Sequence, residues 1–182
     1  MQNIRILCLS GSLRQHSYNS SVLQAIKTLA PDHIKISIFN QMGELPLFNP
    51  DIENNHIIAV QALKNEINRA NGLIIASPEY AHGITGVMKN ALDWLVSGDE
   101  LPYKPVALIN TSPRAHHAQD ALREVLNTMS ACTASDASIN IPLLGSKLDT
   151  QGIIEHAVFS KDLLSQLTAF YHFIVAQQTE NF

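Results

Sequence analysis

Short apolar segments alternate with amphipathic helical patterns along the whole chain. The predicted strands cover residues 4–9, 35–39, 73–76, 106–109 and 137–141. Each is followed by a stretch whose apolar residues recur every three or four positions, which is typical of a helix with one buried face. The predicted helices cover about 19–30, 57–70, 84–95, 118–129 and 152–177. Such alternation predicts an α/β protein with a parallel sheet and helices on both faces.

Five strands favour the three-layer, flavodoxin-like strand order 2-1-3-4-5 over a six-stranded dinucleotide-binding fold. A length of 182 residues with 46% hydrophobic residues fits one globular domain over 1–182. The net charge of −4 and the lack of a Lys/Arg run give no support for a nucleic-acid partner. No apolar stretch has membrane-spanning length and no signal segment is recognised, so a soluble, cytoplasmic protein is expected.

Ligands of such sheets bind beyond the carboxyl ends of the strands, near the point where the strand order reverses. The loops that follow the first, third and fourth strands are therefore the candidate binding loops. They cover residues 10–19, 78–83 and 111–116. All three carry polar, turn-forming or aromatic residues.

The first of these loops is rich in hydroxyl and amide side chains. A strand that turns into a helix here directs free backbone N–H groups and the positive helix end toward an anion such as phosphate. Hydroxyl and amide donors and a guanidinium can join them, from Ser10, Ser12, Ser17, Asn19 and Arg14. The loop matches neither a Walker A nor a Gly-x-Gly-x-x-Gly pattern. The alternative is an ordinary loop in which Ser17 or Asn19 only caps the helix.

The second loop, from Ser77 to Gly83, combines Tyr80 with a glycine that allows close backbone approach. Tyr80 is expected to stack on or beside a flat ligand, and the alternative is that it packs on the surface. In the following helix, Asn90 and Asp93 are expected to hold the ligand loop or face a partner. Trp94 extends the apolar face and is a candidate subunit contact.

Two further segments carry weaker signals. The long segment 40–55 contains the apolar run 45–48, for which we expect a lid or a contact surface. In the third loop, His116 and His117 are adjacent and share no helix face, so no metal site is predicted. They are expected to form the helix start and flank a cofactor or substrate opening.

A phosphatase is the rival chemistry, because Cys8 and Arg14 have the Cys-x5-Arg spacing of tyrosine phosphatases. However, Gln15 stands where those enzymes have Ser or Thr, and no Asp-Pro pair supplies a general acid. Cys8 also lies within a predicted strand, where a thiol is inert packing. With only Cys132 beside it, no disulfide framework is expected, which fits a reducing compartment.

Two segments, 11–19 (GSLRQHSYN) and 78–94 (PEYAHGITGVMKNALDW), resemble the NADPH-dependent FMN reductase family. That family has the flavodoxin-like fold and includes flavin, quinone, azo-compound and chromate reductases. The resemblance implies an FMN phosphate site made by Ser12, Arg14, Ser17 and Asn19. It also implies an isoalloxazine site lined by Pro78, Glu79, Tyr80 and Gly83, with Ser112 beside the flavin. Ser10, Tyr18 and Ala81 complete the expected cofactor-binding set.

The chain departs from the family pattern at Ala81, where many relatives have Asn, and at Thr85, where many have Pro. Its third loop also lacks the glycines of many relatives, which bears on the outer pocket for the nicotinamide and the acceptor.

The resulting hypothesis is an FMN-dependent oxidoreductase that takes two electrons from NADPH or NADH. It passes them to a small-molecule acceptor such as free flavin, a quinone, an azo compound or chromate. No dedicated catalytic acid–base residue and no metal are expected, because the flavin carries the chemistry. The resemblance also implies a homodimer or homotetramer. The alternative is a flavodoxin-type electron carrier without NAD(P)H turnover.

Overall fold

A computed structural model describes residues 1–112, 114 and 116–180. The strands are β1 (Ile4–Ser10), β2 (Ile34–Ile38), β3 (Gly72–Ala76), β4 (Glu79–Tyr80), β5 (Gly83–Ile84), β6 (Pro105–Asn110), β7 (Cys132–Thr133) and β8 (Ile139–Asn140). The α-helices are α1 (Tyr18–Leu29), α2 (Ile58–Arg69), α3 (Gly86–Asp93), α4 (His117–Thr128), α5 (Thr150–Glu155) and α6 (Ala157–Glu180). Short 3-10 turns cover Pro50–Ile52 and Ser135–Ala137.

The main sheet is parallel and has the order β2-β1-β3-β6, with its fifth position shared by β7 and β8. The predicted α/β fold with flavodoxin-like order is confirmed. The fifth strand predicted over 137–141 is only partly correct, since the 3-10 turn interrupts this edge. Ser138 explains the interruption. Its hydroxyl accepts from Leu108 N at 3.1 Å and donates to Ala134 O at 3.0 Å, so a side chain replaces part of the ladder.

Side chains of β1 alternate between two apolar clusters, one on each face of the sheet. Ile4, Ile6 and Cys8 pack with α1 and α6, whereas Leu7 and Leu9 pack with α2, α3 and α4. This two-sided burial explains why the strand reads as a nearly continuous apolar run. The core thus fixes the carboxyl end of β1, where the first candidate loop begins.

Two features differ from the predicted elements. Residues 79–84 form an antiparallel hairpin of β4 and β5 that was not predicted. The single helix predicted over 152–177 is wrong, because the backbone is extended at His156 (ψ 105°) and separates α5 from α6. No Pro or Gly occupies this break, which instead allows α5 and α6 each to pack against α1.

Across the described part of the chain, no helix has both the length and the apolar character required to span a bilayer.

Candidate functional site

The loops that follow β1, β3 and β6 meet at the carboxyl edge of the sheet and line a crevice with a cavity volume of about 190 Å³. Nine of the twelve predicted residues line it. They are Ser12, Arg14, Ser17, Tyr18 and Asn19 from the first loop, Pro78, Glu79 and Tyr80 from the second, and Ser112 from the third. A second cavity of about 520 Å³ shares Arg14, Ser17 and Tyr18 with the crevice and continues outward past the first loop.

Three of the predicted residues do not line the crevice. Ser10 is buried, and its hydroxyl accepts from Ser12 N at 3.3 Å and lies 3.0 Å from Ser20 Oγ, so it shapes the loop from inside. Ala81 and Gly83 lie in the hairpin beyond the crevice. Pro113 and Ala115 of the predicted third loop lie outside the described residues.

Four residues outside the predicted cofactor-binding set also line the crevice. Ser77 and Thr111 belong to the predicted second and third loops, whereas Asn110 and Leu144 lie outside the predicted loops. Asn110 and Thr111 directly follow the predicted fourth strand, and that position was the available signal. Thr111 Oγ1 lies 3.2 Å from Asn19 Oδ1, which ties the end of β6 to the first turn of α1. Leu144 comes from the loop after β8, and no local motif marked it.

The first loop combines a helix start with an unpaired cation. Ser17 is the N-cap of α1, and its hydroxyl accepts from Ser20 N at 3.4 Å. Ser17 therefore caps α1 and also lines the crevice. Arg14 is exposed and forms no ion pair within the described residues. A free guanidinium beside a helix N-terminus is suited to bind a phosphate.

Gly11 and Thr85 hold the first and second loops together. Gly11 N donates to Ala76 O at 2.9 Å, and the Thr85 hydroxyl donates to Gly11 O at 2.8 Å. A Cβ atom at Gly11 would lie 2.2 Å from Ser77 Oγ, so only glycine allows this approach. The crevice wall is therefore built by direct contact between two loops.

The hairpin of β4 and β5 carries Tyr80 to the rim of the crevice, where its side chain is half exposed. Its turn residues Ala81 and His82 have positive φ values of 50° and 60°, a conformation usually taken by Gly or Asn. Glu79 Oε2 accepts from Ala118 N at 2.9 Å and so fastens the hairpin to the start of α4. This contact fixes Tyr80 relative to the third loop.

Cys8 cannot act as a phosphatase nucleophile. It lies within β1, paired with Ile38 and Ile74 on the neighbouring strands, and is fully buried. Burial raises the pKa of its thiol from 9.0 to about 12, although the charge of Lys27 partly opposes this. The reactive thiolate is therefore absent at neutral pH, and the phosphatase hypothesis is wrong.

The segment 45–48 is fastened to α3 and is not a free lid. Asn90 Nδ2 and Trp94 Nε1 both donate to Pro46 O, at 2.9 Å and 2.8 Å, and Phe48 N donates to Asn90 Oδ1 at 2.8 Å. Asn90 therefore holds the segment 45–48 and not the ligand loop that was predicted. Trp94 is buried under this loop, so the expectation of a subunit contact through its ring is wrong.

Comparison with known proteins agrees with this fold. The sequence model of the NADPH-dependent FMN reductase family matches residues 4–143. The chain is 30% identical over 190 residues to a quinone reductase of Escherichia coli K12, covering 95% of this chain and 96% of the relative. It is 33% identical over 156 residues to an NAD(P)H-dependent FMN reductase of Pseudomonas aeruginosa, covering 82% and 84%.

Among solved structures, the flavoenzyme FerB of Paracoccus denitrificans, an NAD(P)H:(acceptor) oxidoreductase, superposes with a TM-score of 0.85. It is 26% identical, and the match covers 96% of this chain and 98% of FerB. The resemblance seen in the sequence motifs is thereby confirmed. The chain, with its flavodoxin-like sheet and its crevice at the carboxyl edge, belongs to the NADPH-dependent FMN reductase family.

Proposed function

We propose that the crevice binds FMN and that the protein uses it to oxidise NADPH or NADH and reduce a small-molecule acceptor. The observation that carries the proposal is the convergence of three loops around one crevice whose only cation, among the described lining residues, is the unpaired Arg14. Hydroxyl and amide groups of Ser12, Ser17 and Asn19 surround this cation. The donor set fits a phosphate monoester at the start of α1.

The opposite side of the crevice fits an aromatic ring. Pro78 and Tyr80 supply apolar surface, Ser112 lines the same crevice, and Glu79 ties the hairpin to α4 through Ala118 N. Bound FMN supplies the redox chemistry, accepting two electrons from a nicotinamide and passing them to a second substrate. The residues of the chain bind the phosphate, orient the ring and leave its outer face open at the half-exposed Tyr80.

Quinones and free flavins are the proposed acceptors, because relatives are named quinone reductase and FMN reductase. We also propose that the protein forms a homodimer or homotetramer and is located in the cytoplasm. The electron-carrier alternative has no observation in its favour. A simple test distinguishes a carrier from the proposed enzyme. A carrier stays oxidised when it is mixed with NADPH without oxygen, whereas the proposed enzyme bleaches rapidly.

Arg14→Ala tests the phosphate site. Loss of a charge-assisted contact of about 1.5–3 kcal/mol should weaken FMN binding roughly 10- to 150-fold. Binding is measured by the quenching of FMN fluorescence on titration with apoprotein. Arg69→Ala is the matched control, because Arg69 pairs with Glu66 on α2, away from the crevice, and its loss should leave FMN affinity unchanged. Equal FMN affinity of Arg14→Ala and the wild type would disprove the assignment.

A further inference from the structure

Three histidine rings cluster where the hairpin that carries Tyr80 meets the start of α4, two of them stacked and the third tilted against them. The ring centroids of His82 and His117 lie 4.4 Å apart at an interplanar angle of 26°, and those of His116 and His117 lie 4.0 Å apart at 34°. All three side chains are exposed. This histidine stack, His82, His116 and His117, is not used in the proposed FMN contacts.

The fold holds the stack beside the crevice from two sides. His82 lies in the hairpin turn two residues beyond Tyr80, and His117 opens α4, next to Ala118, whose N–H donates to Glu79 Oε2. His116 also lines a further polar cavity of about 240 Å³, which shares Asn110 with the crevice. This polar cavity therefore adjoins the crevice at Asn110 and has His116 in its wall.

The histidine stack lacks a carboxylate partner. On the elements packed around it, the charged and titratable groups are Glu79 and Tyr80 of the hairpin, Arg114 of the third loop, and Asp120, Arg123 and Glu124 of α4. Glu79 accepts from Ala118 N, and no ion pair among the described residues joins Glu79 or Asp120 to a ring. The positive N-terminal end of α4 makes the electrostatic potential at His116 and His117 more positive, which favours a bound anion.

A metal does not explain the stack. Stacked rings turn their faces toward each other, and no group of three His, Cys, Asp or Glu side chains in the described ranges could hold a metal ion. Protonated imidazoles this close repel one another unless an anion lies against them. Histidine changes its charge between about pH 5 and pH 8, so protonation here is coupled to anion binding.

We propose that the histidine stack is an oxyanion subsite for a molecule that reacts at the flavin. The oxyanion belongs either to the phosphate groups of the nicotinamide dinucleotide or to an anionic acceptor. The stack binds it best when the imidazoles are protonated. This inference rests on the proposed function, because it needs FMN in the adjacent crevice.

The test separates the two half-reactions of the FMN-loaded protein by rapid mixing at about pH 6 and about pH 8. Reduction is followed with NADPH and with NADH. Reoxidation of the chemically reduced protein is followed with a naphthoquinone sulfonate and with an uncharged naphthoquinone. The wild type is compared with the double variant His82→Gln/His117→Gln, and with His172→Gln, which removes an exposed imidazole of α6.

In the wild type, we expect the second-order rate constant of the charged partner to be about tenfold higher at the lower pH. The double variant should lose this ratio, whereas His172→Gln and the uncharged quinone should be unaffected. If the double variant loses the pH ratio with both NADPH and NADH, the group bound by the stack is the dinucleotide pyrophosphate. If it loses the ratio with NADPH alone, the bound group is the 2′-phosphate. If it loses the ratio with the naphthoquinone sulfonate alone, the stack binds the anionic acceptor.

An unchanged pH ratio in the double variant for all three charged partners overturns the proposal. If the double variant does not fold, a second measurement uses the wild type alone. Inorganic pyrophosphate is added as an inhibitor of the two half-reactions, and sodium chloride of equal ionic strength is the control. Inhibition at the lower pH alone supports the subsite, and equal or no inhibition at both pH values overturns it. A protein that binds no FMN or is not bleached by NADPH instead contradicts the proposed function.

Discussion

Gly11 lies where the loop after β1 passes the loop after β3, and Gly11→Ala tests whether this contact builds the crevice. The new Cβ atom would meet Ser77 Oγ at 2.2 Å and Ser77 Cα at 3.0 Å, so the backbones must separate. Overpacking of this kind lowers the free energy of unfolding by about 1–3 kcal/mol. We expect a lower urea midpoint and weaker FMN binding.

Gly86→Ala is the control for this substitution, because a Cβ atom there has nothing within 4 Å and Gly86 begins α3. It should leave the stability unchanged or raise it slightly. If Gly11→Ala has the urea midpoint of the wild type, the two loops can move apart without lowering the free energy of unfolding.

Cys8 makes a second residue-level prediction, through its pKa. Because burial raises the pKa of the folded thiol from 9.0 to about 12, the folded state keeps its proton where the unfolded chain loses it. Its contribution to stability is therefore complete below pH 9 and is lost as the pH rises from 9 toward 12. By pH 10 the loss is on the order of 1 kcal/mol.

Urea unfolding at pH 8 and pH 10 measures this effect. The wild type should lose on the order of 1 kcal/mol more between the two pH values than Cys8→Ala, in which the thiol is absent. Cys132→Ala removes the half-exposed thiol of β7 and should behave as the wild type. Equal losses in Cys8→Ala and the wild type would contradict the raised pKa.

At the scale of elements, Thr85 joins the start of α3 to the first loop. Its buried hydroxyl donates to Gly11 O at 2.8 Å and accepts from Met88 N at 3.3 Å as the N-cap of the helix. Thr85→Val keeps the shape but leaves a buried carbonyl and a helix N–H without this partner. We expect the free energy of unfolding to fall by about 1–3 kcal/mol in urea unfolding.

Thr28→Val is the matched control, since the hydroxyl of Thr28 donates to Gln24 O on the exposed face of α1. Its effect should stay within about 0.5 kcal/mol. Similar losses in the two variants would mean that Thr85 does not link the elements.

The elements that the sequence predicted well are those with a strong apolar period. β1, β3 and β6 are buried on both faces, so their side chains carry the signal themselves. The hairpin was not predictable, because each strand has two residues and its turn uses Ala81 and His82 at positive φ, without a Gly or Asn signal. The edge formed by β7 and β8 depends on Ser138, whose hydroxyl bonds to two distant backbone groups.

At the scale of the whole molecule, the sequence predicted the location of the site better than the individual contacts within it. The strand order implied that the loops after β1, β3 and β6 meet, and most of the predicted residues line one crevice. Asn19 meets Thr111 only because α1 packs beside the end of β6. Leu144 reaches the crevice only through the course of the loop after β8. The histidine stack likewise joins residues of two segments that share no local pattern.

Ligand binding should stabilise the whole chain, because the crevice joins loops whose strands border both apolar clusters. FMN at about 100 times its Kd should add about 2.7 kcal/mol to the free energy of unfolding and raise Tm by roughly 5–10 °C. Riboflavin lacks the phosphate proposed to lie at Arg14, so at the same concentration it should raise Tm much less. In Arg14→Ala the two flavins should give similar, small shifts. Equal shifts by FMN and riboflavin in the wild type would mean that the loop after β1 does not bind the phosphate, even if the rings occupy the crevice.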